Sequence, residues 1–435
     1  MRLLLLVPLL AAADWPQFRG PAGDSRSADA LPADLSPGKL AWTAEVPGSG
    51  WAQPVVVGTT VFVATAVSDP PFTPKDMMGG VRGMPKAEPG KPAPAPKMAI
   101  DWTLLALDLD TGKQKWAAKV ASGQPKYAIH PTNTFATETP CADADRVYVY
   151  FATAGVLAAL DHAGKELWRN EYPPQPTSSD LGPGASPALH AGRLYLALAN
   201  EAEARLVCLD PATGKQVWAA TRDKPGTAWA TPFVWQNAKR TEVVFCGKGF
   251  VTGHDPATGA EFWKLGGIDS SFSASPAATR DVLVFGNGGP GSVSPLFGVK
   301  AGAAGDITLK KGETATDHVA FYKTGAAPGM ASPVAVGPNV YVLNTGGLAC
   351  YEAATGKPLY KERLPKVRTV AAAPVAAGDT LLFVDETGTA VTVKAGDTFE
   401  ATAAGKLDDL FWSSPAVAGE YLLLRGVKGL YCIKR

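Results

Sequence analysis

Few residues of this 435-residue chain stand at spacings that do chemistry. The five histidines (His130, His162, His190, His254 and His318) show no ligand spacing among themselves. The five cysteines (Cys141, Cys208, Cys246, Cys350 and Cys432) include no adjacent pair. The run Gly286-Asn287-Gly288-Gly289-Pro290-Gly291 is glycine-rich but leads into no helix, so it makes a poor phosphate loop. No catalytic residue and no metal ligand is therefore assigned. Aromatic and polar residues suited to binding remain. Trp51, Trp229 and Trp412 each stand three residues before a proline, and Met330 holds the same place before Pro333. Polar residues nearby in the chain are His130, Asn133, Glu138, Asp180, Asp269 and Arg368. Trp51, His130, Asn133, Glu138, Trp229, Met330, Arg368 and Trp412 form the candidate ligand-binding set. Such a group suits a peptide or ligand site if it rims a channel; the alternative is that the rings plug it.

A repeat must position these residues. Asp108, Gly112 and Trp116 recur as Asp161, Gly164 and Trp168, as Asp210, Gly214 and Trp218, and as Asp255, Gly259 and Trp263. Gly356 and Tyr360 form a weaker copy. The glycine always stands four residues before the aromatic. Asp accepts from backbone N–H groups in an Asx turn, and Gly takes the left-handed position that closes a bulged hairpin. The aromatic then buries its ring between neighbouring sheets. Each unit reads as strand, tight turn, strand.

A second marker gives the count. Pro54, Pro140, Pro187, Pro232, Pro276, Pro333, Pro374 and Pro415 each open a Val/Ala-rich run, at steps of 86, 47, 45, 44, 57, 41 and 41 residues. A period near 44 residues with four short strands is a propeller blade. The predicted fold is all-β, an eight-bladed propeller of four-stranded antiparallel blades over residues 37–435. The last repeat stops without its fourth strand, and Gly38 to Trp42 has the Gly-to-aromatic spacing with no strand before it. The N-terminal strand is expected to close the ring and remove exposed edges. The fifth repeat lacks the Asp turn, with residues 301–318 reading as an insertion, and the seventh lacks the Trp.

Composition agrees with this class. Hydrophobic residues make up 46% and charged residues 19%, and 46 glycines and 37 prolines are spread between short apolar runs. The formal net charge of +1 gives no reason to expect nucleic acid as a partner. Arg2, the apolar run Leu3 to Leu10 and Ala11-Ala12-Ala13 read as a signal peptide over residues 1–13, cut before Asp14. The product is expected to be periplasmic or secreted, without a transmembrane segment, and monomeric. Residues 14–36 are expected to pack on the propeller. Cys208, Cys350 and Cys432 take the strand slot that Ala106 and Ala159 fill, as small buried hydrophobes, so no structural disulfide is expected. Residues 69–101 form an insertion in the first blade with eight prolines and four methionines (Met77, Met78, Met84 and Met98). It reads as a mobile surface arm, with a partner or a soft metal such as Cu(I) as the alternative role.

The Ala/Cys-x-Asp-x-x-Thr-Gly-Lys-x-x-Trp phrase resembles the pyrroloquinoline-quinone (PQQ) repeat propellers. These include quinoprotein alcohol dehydrogenases and the propeller lipoprotein of outer-membrane barrel assembly. Asp14 to Pro21 looks like the opening of a group of exported propellers of this type, with Trp15 and Phe18 pinning the mature N-terminus. The resemblance implies a fold and leaves the activity open. The dehydrogenases carry an adjacent Cys–Cys pair, a Ca²⁺ site and an Asp base; this chain has no such pair and is shorter. The expectation is a non-catalytic scaffold for a protein, peptide or envelope polymer, with no cofactor. A PQQ- and Ca²⁺-dependent dehydrogenase is the first alternative and a carbohydrate-binding propeller the second.

Overall fold

The computed structural model describes residues 14–82, 93–268, 271–288, 293–344 and 347–435. The expected signal peptide, Met84, Asp269 and Gly289 to Gly291 lie outside these residues. Eight sheets form the chain into a ring, with blades at 55–123, 141–171, 188–221, 233–265, 277–323, 334–362, 375–406 and 416–434. Each carries four antiparallel strands from the channel outward. The eighth is completed by Leu40–Ala44, which pairs antiparallel with Leu430–Lys434 and sets Trp42 opposite Cys432. The ring is closed as the repeat required. Second strands such as Thr60–Asp69 are buried on both faces, which explains their unbroken apolar runs. Between blades 2 and 3, for example, Tyr148 and Leu157 pack against Leu196 and Val207.

The repeat phrase builds the joint between blades. Asp210 Oδ1 accepts the Ala212 N–H at 2.7 Å, and Asp255 Oδ1 accepts that of Ala257 at 2.7 Å. The turn glycines hold φ near +70° to +88°. The indole of one blade lies flat on the turn glycine of the next: Trp42 on Gly112, Trp116 on Gly164, Trp168 on Gly214 and Trp218 on Gly259. A Cβ on any of these glycines would fall within 2.9 Å of the ring. Each indole N–H also donates into that next turn, as Trp168 does to the Pro211 carbonyl at 2.9 Å. A small residue stands opposite the ring: the register pairs Ala106 with Trp116, Ala159 with Trp168 and Cys208 with Trp218. All five cysteines are buried free thiols.

Two joints differ. Trp263 is fully buried but donates to Glu242 Oε2 within its own blade, at 2.6 Å. The reason is the insertion after the fifth blade's degraded turn. Its short strand Gly305–Asp306 runs parallel beside Trp263 as a fifth strand of blade 4, held by the Arg240 guanidinium donating to the Ala303 carbonyl at 2.5 Å. In blade 5 the docking ring is Phe321, opposite Gly298 and seated on Gly356. Tyr360 then meets Phe399 of blade 7, with centroids 5.6 Å apart.

Candidate functional site

The channel is lined first by backbone. The residue before each marker proline stands just ahead of the innermost strand of its blade. Six of these eight residues carry a hydroxyl, and each such hydroxyl accepts the N–H of the equivalent residue one blade earlier. Gln53 N–H reaches Thr139, Thr139 reaches Ser186, Ser186 reaches Thr231, Thr231 reaches Ser275 and Ser275 reaches Ser332, all at 2.9–3.0 Å. Ala373 N–H reaches Ser414 at 2.9 Å, and the Gln53 amide crosses to the Pro415 carbonyl at 2.5 Å. In the sequence the ring shows as Thr-Pro and Ser-Pro pairs at the start of six blades.

One end of the channel is filled by residues 14–29. Trp15 bridges to Val56 in blade 1, the Pro16 carbonyl accepts from Ala142 in blade 2, and Gln17 Oε1 accepts from Leu189 in blade 3. Arg19, 1% exposed, donates to the carbonyls of Pro276 and Pro333, in blades 5 and 6, at 2.6 and 2.7 Å. Its Nε reaches Ser25 at 2.9 Å, and its guanidinium carbon lies 6.0 Å from the Phe233 ring of blade 4. Arg26–Ser27 pair parallel with blade 7, and Asp29 accepts from Gly419 in blade 8. This short segment therefore meets every blade. Burial pulls the Arg19 guanidinium down to about 10, which leaves it charged at neutral pH.

The predicted binding residues lie at the other end and fall into two groups. In the first, Trp51 and Trp412 stack with centroids 6.2 Å apart across the junction of blades 8 and 1. The Trp51 indole donates to the Thr132 carbonyl at 2.7 Å, and His130 Nδ1 lies 2.7 Å from Thr132 Oγ1. Burial lowers the His130 imidazole below its ordinary value. The first-blade arm crosses over this group. Lys75 N–H donates to the Pro131 carbonyl, and Met77 N–H donates to Glu386 Oε2 of blade 7 at 3.0 Å. Gly80 of the short helix Met77–Arg82 sits so close to Thr132 and His130 that a Cβ would meet Thr132 Cγ2 at 2.1 Å. The described parts of the arm thus pack on the ring face. Met98 packs against the core of blades 1 and 2, while Met78 stands 58% exposed.

In the second group, Asn133 donates to the carbonyls of Leu181 and Pro183, and the Trp229 indole donates to Gly182 at 2.6 Å. Both fix the loop that walls a narrow cleft, partly open to solvent, between blades 2 and 3. Tyr150 and Tyr172 line it with rings nearly perpendicular, 6.3 Å apart at 87°. Glu138 is 1% exposed and lies against the cleft residues Tyr150 and Ala152. Neither of its carboxylate oxygens has a well-formed hydrogen bond, although the N–H groups of Thr137, Glu138 and Ala152 face it. Loss of solvent pushes this carboxyl up to about 8. Met330 is half-buried and Arg368 is exposed, its N–H donating to Asp385. Among the described residues no hydrogen bond or ring contact ties either side chain to these groups. Among the described residues no three His, Cys, Asp or Glu side chains converge as a metal site.

Eight four-stranded blades, five of their joints made by an aromatic ring on a turn glycine, and closed by the N-terminal strand, define a PQQ-like repeat propeller. Within that class, the chain belongs to the family described as outer membrane protein assembly factor BamB, which is matched over residues 24–181, 153–291 and 247–429. BamB from Moraxella catarrhalis is similar in structure at a TM-score of 0.54 and 15% identity, over 79% of this chain and 95% of that one. A quinohemoprotein alcohol dehydrogenase from Comamonas testosteroni is similar at a TM-score of 0.60 and 13% identity, over 97% and 80%. Saccharomyces cerevisiae Sqt1 reaches 0.53 at 10% identity, over 78% and 92%. At these identities the likenesses establish the fold alone. No curated protein matches the chain.

Proposed function

We propose that this chain is an exported binding scaffold of the cell envelope that engages a protein or peptide through the face carrying the arm and the cleft. The observation that carries this reading is that residues 14–29 fill one end of the channel while the first-blade arm lies over the face at the other. Arg19 occupies one end, and at the other the arm reaches from Pro131 to Glu386 beside the Trp51–Trp412 pair. The surface left for a partner is the arm, with Met78 and Val81 58% and 56% exposed, and the cleft beside it. Membership of a family described by outer-membrane protein assembly supports the same reading.

The dehydrogenase alternative fits this channel less well. A planar cofactor between two aromatic faces needs about 7 Å from centre to centre, and Trp51 and Trp412 stand 6.2 Å apart. The cysteines lie in blades 2, 3, 4, 6 and 8, so none can form the adjacent pair that those enzymes carry. The test is a thermal-shift titration of the mature protein with PQQ and Ca²⁺, followed by dye reduction with simple alcohols. The scaffold reading expects neither stabilisation nor turnover. Saturable stabilisation with alcohol-dependent dye reduction would replace it with the enzyme reading.

A further inference from the structure

We infer that the channel holds a site for a monovalent, halide-sized anion on its axis, between the Arg19 guanidinium and the ring of entry hydroxyls. The inference goes beyond the scaffold reading and does not depend on it. Two separate observations carry it: a surplus of buried hydrogen-bond donors, and a buried cation that no carboxylate pairs.

Thr139, Ser186, Thr231, Ser275, Ser332 and Ser414 are each 7% exposed or less. Each hydroxyl oxygen accepts one main-chain N–H from the blade before it along the ring. Its own O–H is a further donor. Among the described residues none of the six donates to a protein acceptor. Acceptors close by are already taken. Arg19 holds the carbonyls of Pro276 and Pro333, the Gln53 amide holds that of Pro415, and Gln53 Oε1 accepts the Arg19 N–H.

Arg19 crosses the axis of this ring. Its main-chain N–H bonds Gln53 of blade 1 at 2.8 Å, while its guanidinium bonds blades 5 and 6 on the far side. The hydroxyl residues precede the marker prolines by one position, which sets them on the arm side of the guanidinium. Each Nη carries a second N–H besides the one spent on Pro276 or Pro333, and neither of these has a protein acceptor. Among the described residues no carboxylate lies within ion-pair distance of Arg19. Asp24 acts on it from farther off, with its own carboxyl raised by burial and accepting the Arg26 N–H at 3.1 Å.

An unpaired charge at this depth is costly, and donors without acceptors add to the cost. One anion answers both. Water answers the donors less well, because each molecule brings hydrogens that need acceptors of their own. A single guanidinium neutralises a single charge, so phosphate or sulfate would keep charge uncompensated. The donors come from six blades around the axis, which suits a spherical ion; a carboxylate presents both oxygens on one side. Because residues 14–29 fill the opposite end, the ion enters from the arm side. Once bound, it ties the entry residues of those blades to the N-terminal segment.

The test uses the mature chain at fixed ionic strength, with sodium gluconate, too large for the ring, replaced stepwise by sodium chloride. The melting temperature is expected to rise saturably with chloride, and chlorine NMR to show excess line width that bromide removes. Ser332→Ala deletes one O–H and should weaken chloride by about tenfold. Asp24→Asn removes the carboxylate that competes for Arg19 and should tighten chloride by about threefold. Arg19→Met should abolish both signals; should that variant not fold, the other two, which keep Arg19, decide. Equal melting temperatures in both salts with no excess line width would overturn the site and leave water in the ring. Chloride binding unchanged in Ser332→Ala and Asp24→Asn would place the ion elsewhere and overturn it as well. Stronger stabilisation by sodium formate than by chloride would overturn the halide and make the ligand a small carboxylate.

Discussion

Arg19 and Pro333 lie 314 positions apart in the chain, yet the guanidinium of one donates to the carbonyl of the other at 2.7 Å inside the channel. The same group reaches Pro276 in the neighbouring blade, so one side chain clamps two blades while its own segment meets the other six. Removing it leaves two buried carbonyls without their donor and a cavity where the side chain was. Arg19→Ala should lose about 3–5 kcal/mol in urea unfolding. A variant with unchanged unfolding would show that the segment only rests on the ring.

The blade joint predicts paired losses. Trp218→Ala should cost roughly 3–5 kcal/mol, since the ring is 8% exposed between blades 3 and 4. Gly259→Ala should also destabilise, because its Cβ would stand 2.6 Å from that ring at φ +75°. Melting temperatures of both variants and of the double mutant would decide. Additive losses would mean that the two residues do not share one contact.

The hydroxyl ring makes a smaller prediction. Ser275→Ala removes the acceptor of the Thr231 N–H and should cost about 1–2 kcal/mol, with native spectra retained. Hydrogen exchange at Thr231 should quicken by more than at Ser186, whose N–H acceptor is the Thr231 hydroxyl. Equal protection at both sites would mean that the ring contributes nothing locally.

Glu138 ties stability to pH. Its carboxyl lies near 8 in the fold and in the ordinary carboxylate range when unfolded. The folded state therefore binds the proton more tightly. The stability associated with this group is fully present below about pH 4.5 and is lost as pH rises to 8. Glu138→Gln should match the parent chain near pH 4.5 and exceed it by a few kcal/mol at pH 8–9. A stability difference that does not change with pH would contradict this environment.

The sequence carried the ring almost completely. Asp, Gly and Trp at fixed spacing specify a turn and a docking surface by local chemistry, and eight prolines supplied the count. What stayed hidden depends on distant partners. Phe321 does the work of the docking Trp in blade 5, but the insertion at 301–318 separates it from its turn, so no spacing betrays it. Arg19 stood in a segment read only for Trp15 and Phe18, and its acceptors are backbone groups far along the chain. Asn133, Glu138 and Trp229 were named as one rim with Trp51, His130 and Trp412. The blade geometry divides them, because Trp51, entering blade 1, donates to the loop before blade 2, whereas Trp229, entering blade 4, donates back to the loop before blade 3.

The most direct test of the scaffold reading is site-specific photo-crosslinking in intact cells from the exposed arm positions Met78 and Val81. Leu167 and Val217, exposed on outer strands of blades 2 and 3, serve as controls. The account predicts a discrete adduct with an envelope protein from the arm positions and none from the controls. Absence of any adduct from the arm face, or the same adducts from all four positions, would contradict it.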